Sequence, residues 1–275
     1  MSVTGKVPST AGRPKSGRIT DRMRRRLGTR LVLAALVAVP AAVAVGLLAV
    51  AVESEWNPFR SLDQRTAARL HDQAIAHPGW THAMTLVSDI GGPTVFRSLV
   101  GVLVVAMWAR GARRLAVWAA VTMIVGAVID VVLKAAVNRT RPSLPNPVAH
   151  APGASFPSGH AFTATLGCGI IALAILPLMG RRWRWTAWTA AFLIAAAVGY
   201  SRVALGVHWV TDVVGGWVLG VGLIAATVSV FETWRTEHGL RPVKPVTEGA
   251  APEESTRAAA PATGAPAQRD SQRPE

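Results

Sequence analysis

The sequence predicts an all-α integral membrane protein whose six transmembrane helices pack in one bundle. Of its 275 residues, 51% are hydrophobic and only 16% are charged, which is too apolar for an ordinary soluble domain. The apolar residues gather into six blocks of roughly 15 to 22 residues, close to the length of helix that crosses about 30 Å of hydrocarbon. The blocks are residues 31–52, 92–108, 115–133, 161–179, 186–200 and 213–231.

The first block, residues 31–52, follows a basic segment and has two interpretations. Ala42, Val43 and Ala44 resemble the cleavage site of a signal peptide, but the apolar core is longer than such peptides normally have. We expect an uncleaved helix, with a cleaved signal peptide as the alternative.

The second block, residues 92–108, has the weakest pattern of the six. Arg97 lies near its start, and the Gly-Gly-Pro run at residues 91–93 interrupts it. The preceding residues 53–91 are predicted to form a long outer loop with a loosely amphipathic pattern of Leu62, Ala67, Leu70 and Ala74. This pattern suits either a helix that lies on the membrane and gates lipid entry or a solvated loop helix.

The other four blocks are continuous, and their flanks define the topology. The N-terminal tail and the connections at residues 110–114 and 181–184 are rich in arginine and contain a single acid, Asp21. The positive-inside rule places these alternate connections, and with them both termini, in the cytoplasm. This distribution also argues against nucleic acid as the reason for the net charge of +14.

Both ends of the chain lack hydrophobic periodicity. We predict a disordered basic tail over residues 1–29, a membrane domain over residues 30–235 and a second disordered cytoplasmic tail over residues 236–275. The only cysteine, Cys168, lies in the fourth block, so an intrachain disulfide is excluded.

Residues capable of chemistry recur in three short segments beside predicted helix ends. The first runs from Lys134 to Pro142 as KAAVNRTRP, the second is PSGH at residues 157–160, and the third is SRVALGVHWVTD at residues 201–212. In a six-helix bundle with the topology above, all three segments face the outer side of the membrane.

These segments resemble the three signature motifs of the type 2 phosphatidic acid phosphatase superfamily, which includes lipid phosphatases and vanadium-dependent haloperoxidases. They match K-x-x-x-x-x-x-R-P, P-S-G-H and S-R-x-x-x-x-x-H-x-x-x-D in residue type and in spacing. The resemblance covers about residues 80–232. It implies a phosphatase that uses no metal or other cofactor and hydrolyses a lipid phosphate such as phosphatidic acid, phosphatidylglycerol phosphate or a polyprenyl pyrophosphate.

The residue types in these segments also suit a phosphate by their own chemistry. Lys134, Arg141 and Arg202 supply cations, and the two guanidinium groups have forked donors that match phosphate oxygens. Ser158 and Gly159 lie where a helix begins, so backbone N–H groups and the positive end of the helix dipole favour the same anion.

His208 and Asp212 are four residues apart and therefore share one face of a helix. A carboxylate that holds Nδ1–H of the imidazole leaves Nε2 free to attack phosphorus. The resemblance implies that His208 is this nucleophile, and that His160 acts as general acid and then as general base.

Neighbouring polar residues have less distinctive patterns. We predict that Asn138 and Arg139 are solvated loop residues. Asp130 lies one helical turn before Lys134, which suits a salt bridge with it and simple exposure at the interface equally well. Use of His160, His208 and Asp212 as metal ligands is disfavoured, because three nearby cations would repel the ion.

Two other function classes are kept as alternatives. A vanadate-dependent haloperoxidase would use the same anion site, although those relatives are typically soluble. A non-catalytic anion-binding or transport protein would need the cations but no oriented histidine. We expect the lipid bilayer and its phosphate-bearing lipids to be the partners of this chain, with an extracytoplasmic active site in the cell membrane.

Overall fold

The computed structural model describes residues 16–54 and 56–259. Residues 1–15 of the predicted N-terminal tail and residues 260–275 of the predicted C-terminal tail lie outside this range. From Ser16 onward the backbone is already helical, so the first helix begins inside the segment predicted as a tail.

All regular structure in the described part of the chain is helical. The α-helices are α1 (Ser16–Glu53), α2 (Asn57–Ala76), α3 (Pro78–Ile90), α4 (Pro93–Ala109), α5 (Arg113–Val137), α6 (Gly159–Ile175), α7 (Arg181–Ala204), α8 (Val210–Glu237), α9 (Pro245–Glu248) and α10 (Pro252–Ala259). A single 3₁₀ turn, Leu176–Leu178, follows α6.

Five stretches of the described chain are long and apolar enough to cross a membrane. They are Pro78–Ala109, Arg113–Val137, Gly159–Leu178, Arg181–Ala204 and Val210–Glu237. The number becomes six when Ala38–Glu53 and α2, which meet at 79°, are taken as one broken span. The prediction of an all-α protein with multiple membrane spans is confirmed.

The predicted outer loop over residues 53–91 is in fact mostly helical. It forms α2 and α3, and each begins with a proline in its first turn, where the missing N–H costs no hydrogen bond. α3 and α4 together make one stretch of 32 residues, so the second span is longer than the block at residues 92–108 predicted. Gly91 separates the two helices, and a Cβ there would lie 2.1 Å from Cγ2 of Val198 on α7.

α6 is the central helix of the bundle. In the most apolar stretch of the span that contains α6, 72% of the residues are buried. The corresponding share is 28–44% in the other four spans. Phe162, Leu166 and Ile170 belong to the main apolar core. An all-round apolar sequence such as that of α6 is expected for a helix surrounded by other helices.

Small residues bring the helices into close contact. A Cβ on Gly167 of α6 would lie 2.4 Å from the Phe96 ring of α4, and one on Gly222 of α8 would lie 2.3 Å from Ala41 of α1. Gly216 of α8 faces the backbone where α6 begins, 2.8 Å from the Ser158 carbonyl oxygen. Packing through glycine and alanine is typical of membrane helices, whose association gains little from the hydrophobic effect.

The chain after α8 folds back onto the bundle, which differs from the expected free tail beginning at residue 236. Ala250 is fully buried, and its amide donates to the Leu173 carbonyl at 2.9 Å. Glu254 accepts from the Leu115 amide in the first turn of α5 at 3.1 Å. Arg235 of α8 is buried and binds Glu232 and Glu253. Hydrogen bonds and ion pairs to the ends of the helices therefore hold residues 244–259 in place. Such contacts leave no hydrophobic periodicity in the sequence.

The close approach at Gly216 leads to a prediction about stability. Gly216→Ala places a methyl group against backbone atoms, so we expect the free energy of unfolding to fall by about 1–3 kcal/mol. Thermal unfolding in detergent measures the change. Gly101→Ala is the matched control, since nothing lies within 4 Å of its added methyl group. Equal melting temperatures for the two variants would contradict the packing described here.

Candidate active site

The three predicted motifs meet at one end of the bundle, which we call the motif end. Lys134 lies in the last turn of α5 and Arg202 in the last turn of α7. Ser158 immediately precedes α6, and Asp212 lies in the first turn of α8. The ends of four helices therefore supply the candidate residues.

His208 and Asp212 form a buried pair at the start of α8. Nδ1 of His208 lies 3.3 Å from Oδ2 of Asp212, and the two side chains are 3% and 0% exposed. The chain turns into this position at Gly206, whose φ of +67° favours glycine. Because an ionised carboxylate only accepts hydrogen bonds, Nδ1 carries the proton and Nε2 keeps its lone pair.

Arg141 lies beside that lone pair, with its Nη1 atom 3.1 Å from Nε2 of His208. Its other donors bind main-chain carbonyl oxygens, namely those of Val207 (2.7 Å), Gly153 (3.0 Å), Pro152 (3.0 Å) and Ala154 (3.2 Å). The guanidinium is thus anchored in the loop before α6. The Arg141 side chain directs one N–H at Nε2 of His208, whereas the sequence suggested that both arms of the guanidinium would be free for a phosphate.

The surroundings of His208 favour its neutral form. Burial lowers the pKa of the imidazole below its ordinary value, and the hydrogen bond and charge of Asp212 partly oppose this shift. The charges of Arg141 and Arg202 lower the pKa further. A neutral imidazole whose Nε2 carries no proton is the form that a nucleophile requires.

Lys134 is held beside the start of α6 by Asp130. Its Nζ atom lies 2.8 Å from Oδ2 of Asp130, which confirms the salt bridge over the alternative of interface exposure. A Cβ on Gly159 would lie only 2.7 Å from the same Nζ atom. Glycine therefore lets the ammonium group approach the first turn of α6, where the helix dipole attracts anions.

Arg202 is buried and is positioned by a residue outside the motifs. Its Nη1 atom donates to the hydroxyl of Ser88 on α3, which is also buried. Nε of Arg202 is buried too, and it has no hydrogen-bond partner among the described residues. Since buried guanidinium donors are normally paired, this N–H is suited to an oxygen of a bound anion.

Ser158 joins the second motif to the third. Its amide donates to the main-chain oxygen of Asp212 at 3.0 Å, and its hydroxyl accepts from the Ala161 amide at 3.5 Å as the N-cap of α6. Ser158 thus serves as a cap. The amides of Gly159 and His160 belong to the first turn, which has no carbonyl partners within its own helix. His160 is half-buried at the same place.

Arg139 is not the solvated loop residue that we predicted. Its side chain is 15% exposed and donates to Oδ1 of Asp212 at 2.5 Å, to Oδ2 of Asp63 at 2.8 Å and to the hydroxyl of Thr211 at 2.8 Å. The guanidinium also lies over the ring of Trp209. The prediction was wrong because nothing in the sequence showed that two carboxylates would meet there. Asn138, in contrast, is exposed at the end of α5.

Asp63 was missed entirely by sequence reasoning. It belongs to a buried stripe along α2 made of Asp63, Ala67, His71 and Ala74, whose spacing follows the helical period. The sequence did contain one sign that Asp63 is buried: it shares a helix face with the small residues Ala67 and Ala74. Leu62, which we placed on the apolar face, is exposed.

Within the described part of the chain, His, Cys, Asp and Glu residues form no group of three or more that could hold a metal ion. Both oxygens of Asp212 are already engaged, by His208 and the Trp209 amide on one side and by Arg139 on the other. The arrangement is that of an anion site with an oriented imidazole.

The chain is similar to known proteins. Residues 115–236 match the family model described as PAP2 superfamily. Phosphatidylglycerophosphatase B of Bacillus subtilis is 29% identical over 189 residues, which cover 66% of this chain and 89% of that protein. An undecaprenyl-diphosphatase of Sulfolobus acidocaldarius is 38% identical over 79 residues, 29% of this chain and 34% of that protein.

A solved structure is similar as well. It is the crystal structure described as the first transmembrane PAP2 type phosphatidylglycerolphosphate phosphatase from Bacillus subtilis. The match has a TM-score of 0.63 and 25% sequence identity, and it covers 75% of this chain and 98% of that one.

The buried pair leads to a prediction about titration. We expect His208 to titrate below the ordinary histidine value of about 6.5, because burial disfavours its charged form. Asp212→Asn removes a contribution that raises the pKa, so the pKa should fall further. NMR of protein labelled at the histidine rings measures both values, and His208→Gln assigns the signal. A pKa that rises in Asp212→Asn would contradict the pairing.

Proposed function

Because the chain belongs to the PAP2 superfamily, as its motifs predicted, we propose that it hydrolyses a lipid phosphate through a phosphohistidine formed on His208. The proposal depends on the orientation of the His208 ring, which leaves Nε2 without a proton and facing the other motif residues. Asp212 holds the opposite ring nitrogen, and Arg141 lies 3.1 Å from Nε2. The chain is then an integral membrane phosphatase of the lipid phosphatase family.

In the first step, Nε2 of His208 attacks phosphorus and the bond from phosphorus to the lipid oxygen breaks. The leaving oxygen takes a proton from His160, the candidate general acid in the first turn of α6. As Nε2 becomes covalently bound, the ring becomes cationic, and Asp212 stabilises that charge through Nδ1–H.

The phosphoryl oxygens are stabilised by groups that are in place before the reaction. Lys134, the Nε–H of Arg202 and the first amides of α6 converge at the motif end, and Arg141 turns its N–H from Nε2 to an oxygen. Fixed donors in a buried site stabilise developing charge more strongly than water does. In the second step, His160 takes a proton from water as the water oxygen attacks phosphorus. The bond between phosphorus and Nε2 breaks, inorganic phosphate leaves, and His208 is restored. An alcohol in place of water would make the same enzyme a phosphotransferase.

The substrate class follows from the membrane location and from the relatives. One relative is named for phosphatidylglycerophosphate and the other for undecaprenyl diphosphate, and both compounds carry a phosphate on a lipid. A site at the ends of membrane helices suits a molecule whose apolar tail stays in the bilayer. Among candidate substrates, phosphatidylglycerol phosphate is proposed first, because the relative named for it is matched over most of its length.

We assign the motif end to the extracytoplasmic side and both termini to the cytoplasm. Arg113 and Arg114 open α5 and Arg181 and Arg182 open α7, all at the end of the bundle opposite the motifs. Arginine at these connections supports a cytoplasmic location for that end.

The proposed reaction uses no metal. Lys134, Arg141 and Arg202 already provide positive charge at the site, and a divalent cation would be repelled by them. A vanadate-dependent haloperoxidase is less well supported, because this chain has apolar helices long enough to span a membrane and matches a phosphatidylglycerophosphatase over 89% of that protein. A binding protein without catalysis would not require the Asp212–His208 pair.

The mechanism is tested by phosphate release from a panel of lipid phosphates in detergent. We expect turnover by the wild-type protein with and without a chelator, and an acid-labile, base-stable phosphoryl adduct on His208. His208→Ala should abolish both turnover and adduct, because the attacking nitrogen is removed.

The control for this experiment is the elution profile of His208→Ala in detergent, which should match that of the wild type. Label on serine, or full activity in His208→Ala, would contradict the phosphohistidine. Loss of activity with a chelator, restored by added metal, would contradict the metal-free reaction.

The orientation is tested by labelling intact cells with a membrane-impermeant thiol reagent. In a Cys168→Ala background, Ser143→Cys near the motifs and Gly180→Cys before α7 introduce single exposed thiols. We expect labelling at 143 and none at 180 until the cells are opened. The reverse pattern would place the motif end in the cytoplasm.

A further inference from the structure

A carboxylate outside the three motifs is buried against the candidate active site. Asp63 lies on α2, is 2% exposed, and reaches the start of α8 across a separation of 148 residues. We propose that Asp63 is a positioning residue that fixes Asp212, and through it His208, by way of Arg139 and Thr211. This inference rests on the function proposed above.

Within the described part of the chain, the hydrogen bonds of the Asp63 carboxylate go to Thr211 and Arg139, which both lie beside Asp212. Its Oδ1 accepts from the Thr211 amide at 3.1 Å, and its Oδ2 accepts from the Thr211 hydroxyl at 2.6 Å and from Nη2 of Arg139 at 2.8 Å. A buried carboxylate is tolerated only when such bonds replace its hydration. The position therefore demands both the charge and the shape of aspartate.

The hydrogen bond from the Thr211 amide to Asp63 caps the N-terminus of α8. α8 begins after Trp209, whose indole has no oxygen to accept the free amides of the first turn. The Thr211 amide is one of those orphan donors, and Asp63 accepts it from a different helix. Capping by a carboxylate also matches the helix dipole. The first turn of α8, which carries Asp212, is thus fixed by α2.

The contact between Asp63 and Arg139 affects the Asp212 carboxylate itself. Arg139 bridges two carboxylates, with Nη2 at 2.8 Å from Asp63 and Nη1 at 2.5 Å from Oδ1 of Asp212. Oδ2 of Asp212 is left for the Trp209 amide at 2.9 Å and for Nδ1 of His208 at 3.3 Å. Asp63 therefore determines where Arg139 lies, and Arg139 determines which Asp212 oxygen faces the imidazole.

The charges of this chain of contacts also favour the proposed intermediate. Two carboxylates share the single positive charge of Arg139, so the cluster keeps a net negative charge beside His208. When the ring becomes cationic on phosphorylation, this charge stabilises it. Removing the charge of Asp63 leaves Asp212 as the one carboxylate near Arg139 among those described, which makes the cluster neutral and weakens the stabilisation of the cationic ring.

The test is a comparison of steady-state kinetics on the best lipid phosphate of the panel. Asp63→Asn keeps the shape but loses the charge, and we expect kcat to fall on the order of 10-fold to 100-fold, the range known for residues that orient metal-binding histidines through hydrogen bonds. KM and inhibition by vanadate should change less than about twofold, because Asp63 contacts none of the proposed phosphate-binding residues. Asp72→Asn, exposed on the same helix, is the matched control with wild-type kinetics.

A double-variant cycle separates positioning from a general effect on folding. In an Asp212→Asn background, Asp63→Asn should cause little further loss of kcat, because its route to His208 is already broken. Additive losses in kcat would overturn the proposal, as would unchanged kcat or a rise in KM alone. If Asp63→Asn does not fold, Thr211→Val decides by the same criteria, since it removes the hydroxyl that both Asp63 and Arg139 bind.

The proposed function fails in a different way. A wild-type protein that releases no phosphate from any lipid would contradict the phosphatase itself. If the wild type is active, His208→Ala is inactive and Asp63→Asn has wild-type kcat, only the role of Asp63 is overturned.

Discussion

The carboxylate of Asp212 is the group on which the candidate active site depends. One of its oxygens accepts from Nδ1 of His208 and from the Trp209 amide, and the other accepts from Arg139. The main-chain oxygen of the same residue accepts from the Ser158 amide. Burying this carboxylate with fewer partners would cost free energy, so its hydrogen bonds stabilise one another. One residue thereby joins the three motifs.

The cations around this pair are also held by partners before any anion binds. Lys134 has Asp130, Arg139 has Asp63, Arg202 has Ser88, and Arg141 has the carbonyls of its own loop. Such pairing lowers the cost of burying positive charge. It also limits the directions in which these side chains can point. Among the described residues, Nε of Arg202 has no hydrogen-bond partner.

The helix packing makes this precision possible. Gly216 allows α8 to approach the first turn of α6 so closely that a side chain would meet the Ser158 carbonyl oxygen, and Gly159 does the same for Lys134. Because the motif residues lie at helix ends, small shifts between helices would separate them. Contacts through small residues limit those shifts, which links the stability of the bundle to the geometry of the candidate site.

From the sequence we could predict the fold class, the approximate spans, the resemblance to the superfamily and the candidate motif residues, because apolar blocks and fixed spacings are local properties of the chain. The sequence also placed Asp130 beside Lys134, one helical turn apart. The tertiary structure alone decided that Arg139 bridges Asp63 and Asp212, that Ser88 holds Arg202, and that residues 244–259 pack on the bundle. These contacts join residues far apart in the chain, and each partner alone looks like an ordinary polar residue. Their meeting depends on how the helices pack.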